Sequence, residues 1–148
     1  MRARRGDVRA AILALLGERP MHGYEMIKEL EERTQGAWSP SAGSIYPTLQ
    51  MLEDEGLVQG KESAGKRRFT LTEQGAAAQQ AKADEEKPWD AVRADAAPEQ
   101  IQLAGSMKKL HHAIRQALLA GEEGEQKRVR ELLDETRAKI YAILAEQE

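Results

Sequence analysis

The apolar positions in the first half of the chain repeat at helical spacing and then change period. Val8, Ala11, Ile12, Leu15 and Leu16 fall at the i, i+3, i+4 intervals of one helix face. Gly17 is expected to stop that helix, with Pro20 enforcing the break. A second helix is predicted from about Met21 to Thr34, with Met26, Ile27 and Leu30 facing inward. Gln35-Gly36-Ala37-Trp38-Ser39-Pro40 then forms a loop in which Trp38 packs. Ser41 is a natural N-cap for a third helix, whose core stripe is Ile45, Leu49 and Leu52 at i, i+4, i+7. Gly56 suits the position just past its end. Beyond Gly56, Leu57-Val58-Gln59 and Arg67-Arg68-Phe69-Thr70-Leu71 read as short strands on either side of a turn at Glu62-Ser63-Ala64-Gly65. Thr72 caps the helix that follows.

The second half differs in kind. Residues 76–97 are rich in Ala, Glu and Lys and are interrupted at Pro88. A long helix starts at Pro98 with Leu103, Met107, Leu110, Ile114 and Leu118 on one face. Gly121 to Gly124 is a turn, and a last helix carries Val129, Leu132, Leu133, Thr136, Ile140 and Leu144 on one stripe. These spacings suit helix–helix packing. Two such helices make a poor core alone, so Leu103, Met107, Leu110, Ile114, Leu118, Leu132, Leu133, Ile140 and Leu144 are expected to meet a second copy of the chain. The alternative is that they fold back on the same chain. The fold class is therefore mainly α with a small β-hairpin. Residues 1–75 have the element order of a winged helix-turn-helix, and residues 76–148 form a helical dimerisation region.

Composition narrows the function classes. The 148 residues include no cysteine, which excludes disulfides, thiolate metal sites and cysteine nucleophiles. No apolar run approaches the roughly 20 residues of a membrane span. The basic start, Met1-Arg2-Ala3-Arg4-Arg5, is not followed by a signal-type apolar core, so a cytoplasmic location is expected. The net charge is −3, which by itself does not suggest a nucleic-acid partner. Its distribution does more. Arg2, Arg4, Arg5 and Arg9 form one cluster, and Lys61, Lys66, Arg67 and Arg68 another. The acidic residues concentrate at Glu29-Glu31-Glu32, Glu53-Asp54-Glu55 and Asp84-Glu85-Glu86. Segregation of this kind can give an acidic protein a basic face. On charge alone, two solvated patches explain the pattern equally well.

No constellation points to an enzyme, a metal or a cofactor. His111 and His112 are adjacent, and neighbours on a helix point about 100° apart, so the pair does not chelate one ion readily. Neither has a carboxylate three or four positions away. The Gly121-Glu122-Glu123-Gly124 turn is acidic and would repel phosphate.

Four stretches together are specific. They are Met21-His22-Gly23-Tyr24-Glu25, Ser41-Ala42-Gly43-Ser44-Ile45-Tyr46-Pro47-Thr48-Leu49, Leu52-Glu53-Asp54-Glu55-Gly56-Leu57-Val58 and Arg68-Phe69-Thr70-Leu71-Thr72-Glu73-Gln74-Gly75. In this order and spacing the chain resembles the PadR family of regulators from about Val8 to Gly75. One departure is Ala42, where many relatives carry Pro. The resemblance implies a winged-helix repressor, usually a dimer held by C-terminal helices, with the third helix in the major groove of a palindromic operator on double-stranded DNA. It also implies that a flat aromatic effector could bind near an aromatic side chain at the dimer centre, which makes Trp89 a candidate; the alternative is that Trp89 is a hydrophobic anchor of one subunit on the other.

The residues support a DNA role independently. Gly43, Ser44 and Thr48 are small enough for close approach, and Ser41, Ser44 and Thr48 offer hydroxyl donors to phosphates or bases. The helix N-terminus adds free N–H groups facing phosphate. Tyr46 either stacks on or donates to DNA, or is a core-edge aromatic. Tyr24 carries the same two readings, and the family pattern favours phosphate contact. Pro47 is unexpected inside a helix, where it costs about 3 kcal/mol relative to Ala. In the hairpin, Lys61, Lys66, Arg67 and Arg68 would grip phosphate. Alternation places Arg68 with Thr70 on one face, and Arg67 with Phe69 and Leu71 on the other. The competing function is a winged-helix protein-interaction module that reads no DNA.

Overall fold

The computed structural model describes residues 5–146, with side chains from Val8 onward. Arg2 and Arg4 of the basic N-terminal run lie outside the described residues, as do the side chains of Arg5 and Asp7. The elements in chain order are α1 (Arg5–Glu18), β1 (Met21–His22), α2 (Gly23–Arg33), α3 (Ala42–Asp54), β2 (Val58–Ser63), β3 (Lys66–Leu71), α4 (Glu73–Ala81), α5 (Pro88–Asp95), α6 (Pro98–Ala120) and α7 (Glu123–Ala145). They fall into two compact units, one extending to Ala104 and one from Gly105 onward.

α1 is the central helix of the first unit. The sequence suggests one inward face, but every residue from Ala11 to Leu16 is buried. The cause is that α1 is surrounded, packing against α3, α4, α5 and β3. A second difference is that Gly17 does not stop the helix, which runs on to Glu18. A Cβ at Gly17 would lie 3.1 Å from the Gln79 side chain, so this glycine allows α4 to approach α1. Pro20 follows immediately and provides the break.

The start of α2 also departs from expectation. Met21 and His22 do not open the helix but form a two-residue strand antiparallel to β3, pairing Met21 with Phe69 and His22 with Arg68. The side chain of Met21 is then fully buried. His22 has an extended backbone (φ −78°, ψ 155°) and serves as N-cap. Its backbone N–H donates to the Glu25 carboxylate at 3.1 Å, satisfying the donor reciprocally as in a capping box.

After α2 the chain turns through Gln35 and Gly36, both at positive φ. Thr34, fully buried, secures this turn. Its hydroxyl donates to the Leu30 carbonyl at 2.7 Å and accepts from the Trp38 backbone N–H at 2.9 Å. Trp38 is thereby fixed in the core between α2 and α3, as its position in the loop suggested.

α3 begins after Ser41 and continues through Pro47 to Asp54. Ile45, Leu49 and Leu52 are buried as the spacing requires. Gly56 (φ +77°) ends it with a Schellman motif. The Leu57 N–H donates to the Leu52 carbonyl and the Gly56 N–H to the Glu53 carbonyl, both at 2.9 Å.

The sheet order is β1-β3-β2, all antiparallel. The β2–β3 hairpin is longer than the alternation suggested, because pairing continues to Ser63 and Lys66. Ala64 (φ +53°) and Gly65 (φ +76°) make a two-residue turn with positive φ at both central positions, the geometry that matches strand twist. Thr72 then links three elements. Its hydroxyl accepts from the Gly75 N–H at 3.0 Å, capping α4, and donates to the Gly56 carbonyl at 2.6 Å.

α5 follows with Pro88 at its first turn and Trp89 buried. Trp89 belongs to the core of the first unit, where the Arg33 guanidinium lies 4.7 Å over its ring.

The second unit contains the remainder of α6 and all of α7. No residue of either helix is buried. Leu103, Met107, Leu110, Leu118, Leu132, Ile140 and Leu144 are exposed, while Ile114 and Leu133 are half-buried. The corner between the helices is fixed by Gln126. Its side-chain amide donates to the carbonyls of Ala117, Leu118 and Gly121 at 3.2–3.3 Å, capping the end of α6 from α7. Inside the corner is an open apolar cleft of about 630 Å³, lined by residues that include Ile114, Leu118, Val129 and Leu133.

Candidate nucleic-acid interface

α3 has two sharply different faces. Ile45, Leu49 and Leu52 are buried on one side. Ser41, Ala42, Gly43 and Ser44 are exposed at its start, and Thr48 is half-buried one turn on. A Cβ at Gly43 would meet only the Ser41 hydroxyl, at 3.7 Å, so space above this turn is open. Ser41 occupies the expected N-cap position, but its side chain makes no capping hydrogen bond. The Ser44 N–H donates to the Ser41 carbonyl at 3.0 Å, so the Ser41 hydroxyl and the Ala42 and Gly43 N–H groups are what the helix start offers to an external acceptor. Thr48 departs from expectation. Its hydroxyl proton goes to the Ser44 carbonyl at 2.8 Å, leaving the oxygen as an acceptor rather than an outward donor.

Two aromatics flank this helix. Tyr46 lies against Gly23, where a Cβ would come within 2.7–3.0 Å of the ring atoms and its hydroxyl. It joins α3 to the start of α2, a core-edge position, while remaining 47 % exposed. Tyr24 is 62 % exposed, and the Lys28 ammonium sits 5.2 Å from its ring centre. Lys28 was not among the sequence candidates, although the i, i+4 spacing from Tyr24 on α2 was available as a signal. Met51 was also missed. It is 56 % exposed and follows Ser44 by seven residues, which puts it on the same outer face.

The hairpin sorts its basic residues between two faces. Register pairs Lys61 with Arg68 and Ser63 with Lys66, so Lys61, Lys66 and Arg68 share one face with Gln59 and Thr70. All three cations are exposed, and none forms an ion pair among the described residues. The β1 pairing continues this row, with His22 opposite Arg68 on its other side. Arg67 sits on the opposite face with Phe69, 5.5 Å from its ring, and its guanidinium reaches the Glu53 carboxylate at 2.7 Å.

The charges around α2 are committed elsewhere. Arg19 binds Glu25 at 2.9 Å and Glu29 at 3.2 Å. The Arg19 hydrogen bond, followed by the His22 backbone N–H, holds the Glu25 carboxyl below its usual value. Arg33 binds Glu18 and Glu29 at 2.7 and 3.0 Å. Arg9 pairs with Glu55 at the end of α3. The Lys61, Lys66 and Arg68 group stands apart from these pairs. Among the described residues, no cluster of His, Asp or Glu could hold a metal, and no helix is long and apolar enough to cross a membrane.

Helices α1 to α3, a hairpin following α3 and a short strand between α1 and α2 constitute a winged helix-turn-helix. Residues 12–81 match the family described as "Transcriptional regulator PadR-like family", and this segment of the chain is similar to that family. Two curated relatives each match a little under half of the chain. "Transcriptional regulator YqjI" of Escherichia coli (strain K12) is 47 % identical over 72 residues, covering 48 % of this chain and 35 % of the relative. "Negative transcriptional regulator PadR" of Bacillus subtilis (strain 168) is 35 % identical over 71 residues, covering 44 % of this chain and 38 % of the relative. The matched region is thus little more than a third of the length of these relatives. A solved structure, the circadian clock associated protein Pex from Anabaena, shares the fold with a TM-score of 0.52 at 21 % identity, covering 62 % of this chain and 84 % of that one.

Proposed function

We propose that this chain is a sequence-specific, DNA-binding transcriptional regulator. The observation that carries the proposal is the row formed by Lys61 and Arg68, joined by Lys66 on the same face. Like charges directly opposite each other on a hairpin disfavour its pairing, and neither Lys61 nor Arg68 forms an ion pair among the described residues. A polyanion supplies the missing counter-charge. α3 provides the reading element, with Ser41, Gly43 and Ser44 exposed at its N-terminus and its other face anchored in the core. Tyr24, Tyr46 and Thr48 complete the contact surface, and Lys28 extends it.

The regulator acts as a homodimer. Most apolar residues on the stripes of α6 and α7 are exposed among the described residues, and a second copy is the natural occupant of a self-complementary surface. Two copies of α3 related by a two-fold axis call for a palindromic operator, with half-sites about one helical turn apart. Repression is the expected sense of regulation, in line with the name of the Bacillus subtilis relative. For a small aromatic effector, Trp89 remains the proposed contact. One face is covered by Arg33, so the ligand would enter through a cleft of about 410 Å³ that Trp89 lines together with Ala14, Gly17, Leu71 and Ala76.

The test is a mobility shift on the DNA immediately upstream of the chain's own gene, with and without excess unrelated DNA. A shift that survives the competitor is expected. A shift lost to competitor would reduce the interaction to its electrostatic, sequence-independent part. No shift even at low salt would favour a winged-helix protein-interaction module.

A further inference from the structure

Arg67 lies in the middle of the basic hairpin, yet its side chain faces away from the other cations. Residues two apart on a strand share a face, so Arg67 goes with Phe69 and Leu71. On that face its guanidinium donates to Glu53 of α3 at 2.7 Å and lies 5.5 Å from the centre of the Phe69 ring. Glu53 is well covered, with only 19 % of its side chain exposed. On β2, the residue beside Phe69 is Gly60. A Cβ there would lie 2.4 Å from Arg67 Nε and 3.0 Å from both its Cζ and the Phe69 ring. The hairpin thus leaves a gap at Gly60, and the Arg67 side chain fills it. The Arg67 backbone is held as well, because its carbonyl oxygen lies 3.1 Å from His22 Nδ1 on the far strand.

We propose that Arg67 is a positioning residue, a brace between hairpin and α3 that fixes the separation of the Lys61/Lys66/Arg68 face from the reading helix. The inference rests on the DNA-binding function proposed above. A brace and a phosphate contact differ in what they do to the salt dependence of binding. Each neutralised phosphate contributes a slope of about −0.9 in log Kobs against log salt. A brace contributes none. They also differ in the effect of its partner. Removing the Glu53 charge should strengthen binding to a polyanion if only charge matters, but should weaken it if Glu53 holds Arg67 in place.

The test uses full-length wild type, Arg67→Gln, Glu53→Gln and, for comparison, Arg68→Gln. Binding to the upstream fragment is titrated across salt concentrations, and amide hydrogen exchange is followed in the free proteins. Arg67→Gln and Glu53→Gln are each expected to weaken binding about fivefold per subunit, the equivalent of an exposed ion pair, with an unchanged salt slope. Arg68→Gln should flatten the slope by about 0.9 per subunit. In the free protein, Arg67→Gln and Glu53→Gln should speed exchange at the hairpin amides, whereas Arg68→Gln should not. A flattened slope for Arg67→Gln, or undiminished affinity for Glu53→Gln, would overturn the brace. If wild type binds no DNA, the functional reading fails by itself, and unaltered hairpin exchange in both variants would still overturn the brace.

Discussion

Ser44→Glu should give a folded protein that no longer binds its operator. Ser44 is exposed in the first turn of α3, three residues after the N-cap Ser41. A carboxylate at that position suits the helix itself. It completes a Ser-x-x-Glu capping box with Ser41 and lies near the positive end of the helix dipole, worth about 0.3–1 kcal/mol. Thermal stability is therefore expected to be unchanged or slightly raised. On DNA the same carboxylate would face phosphates and base edges. Like-charge juxtaposition across an interface costs several kcal/mol, which corresponds to a loss of at least about 100-fold in affinity. Thermal unfolding and mobility shift on the same preparation separate the two effects. Tight operator binding by the folded variant would mean that α3 is not the reading helix.

The second large effect is expected in the C-terminal helices. Leu133 lines the cleft between α6 and α7, and Ile140 lies 50 % exposed two turns further along the same stripe. Leu133→Asp combined with Ile140→Asp places two charges on the surface proposed to meet the second copy. Light scattering should then report the single-chain mass of 16.5 kDa instead of twice that value. Most of the buried core lies in the first unit, so the winged helix should survive the substitution. Loss of the second binding site should weaken operator binding by about 10²–10⁴, the usual contribution of simultaneous engagement. An unchanged dimer mass would move the interface to another surface.

Much of the fold was legible because local chemistry and tertiary packing agree. Ile45, Leu49 and Leu52 mark the buried side of α3. Gly56 closes that helix, Thr72 caps the next, and Trp38 packs in the loop where its position placed it. What escaped the sequence was decided by partners distant along the chain. A strand of two residues has no period to detect, and Met21–His22 is extended because β3 offers it an edge. Gly17 reads as a stop signal, but its lack of a side chain serves the approach of Gln79. The chain also gives no hint that Trp89, after a polar and proline-interrupted stretch, returns to the core of the first unit.

The candidate interface shows the same division. Residue types and alternation were enough to nominate the small residues of α3 and to place Arg67 with Phe69. They did not identify its partner, because Glu53 belongs to an acidic run that resembles a solvated face. Nor did they show the Thr48 proton returning to the Ser44 carbonyl, a matter of rotamer rather than of sequence. Lys28 was hidden by its surroundings, since α2 contains more acidic than basic residues and the lysine becomes informative only beside Tyr24.

Hydroxyl-radical footprinting of the wild-type protein on the upstream fragment tests the account most directly. Two protected patches related by a two-fold axis are expected, with centres about 34–36 Å apart, or a multiple of that spacing, because a symmetric dimer presents two copies of α3 to successive major grooves. Uniform weak protection along the fragment, or no protection at protein concentrations that saturate the mobility shift, would contradict it.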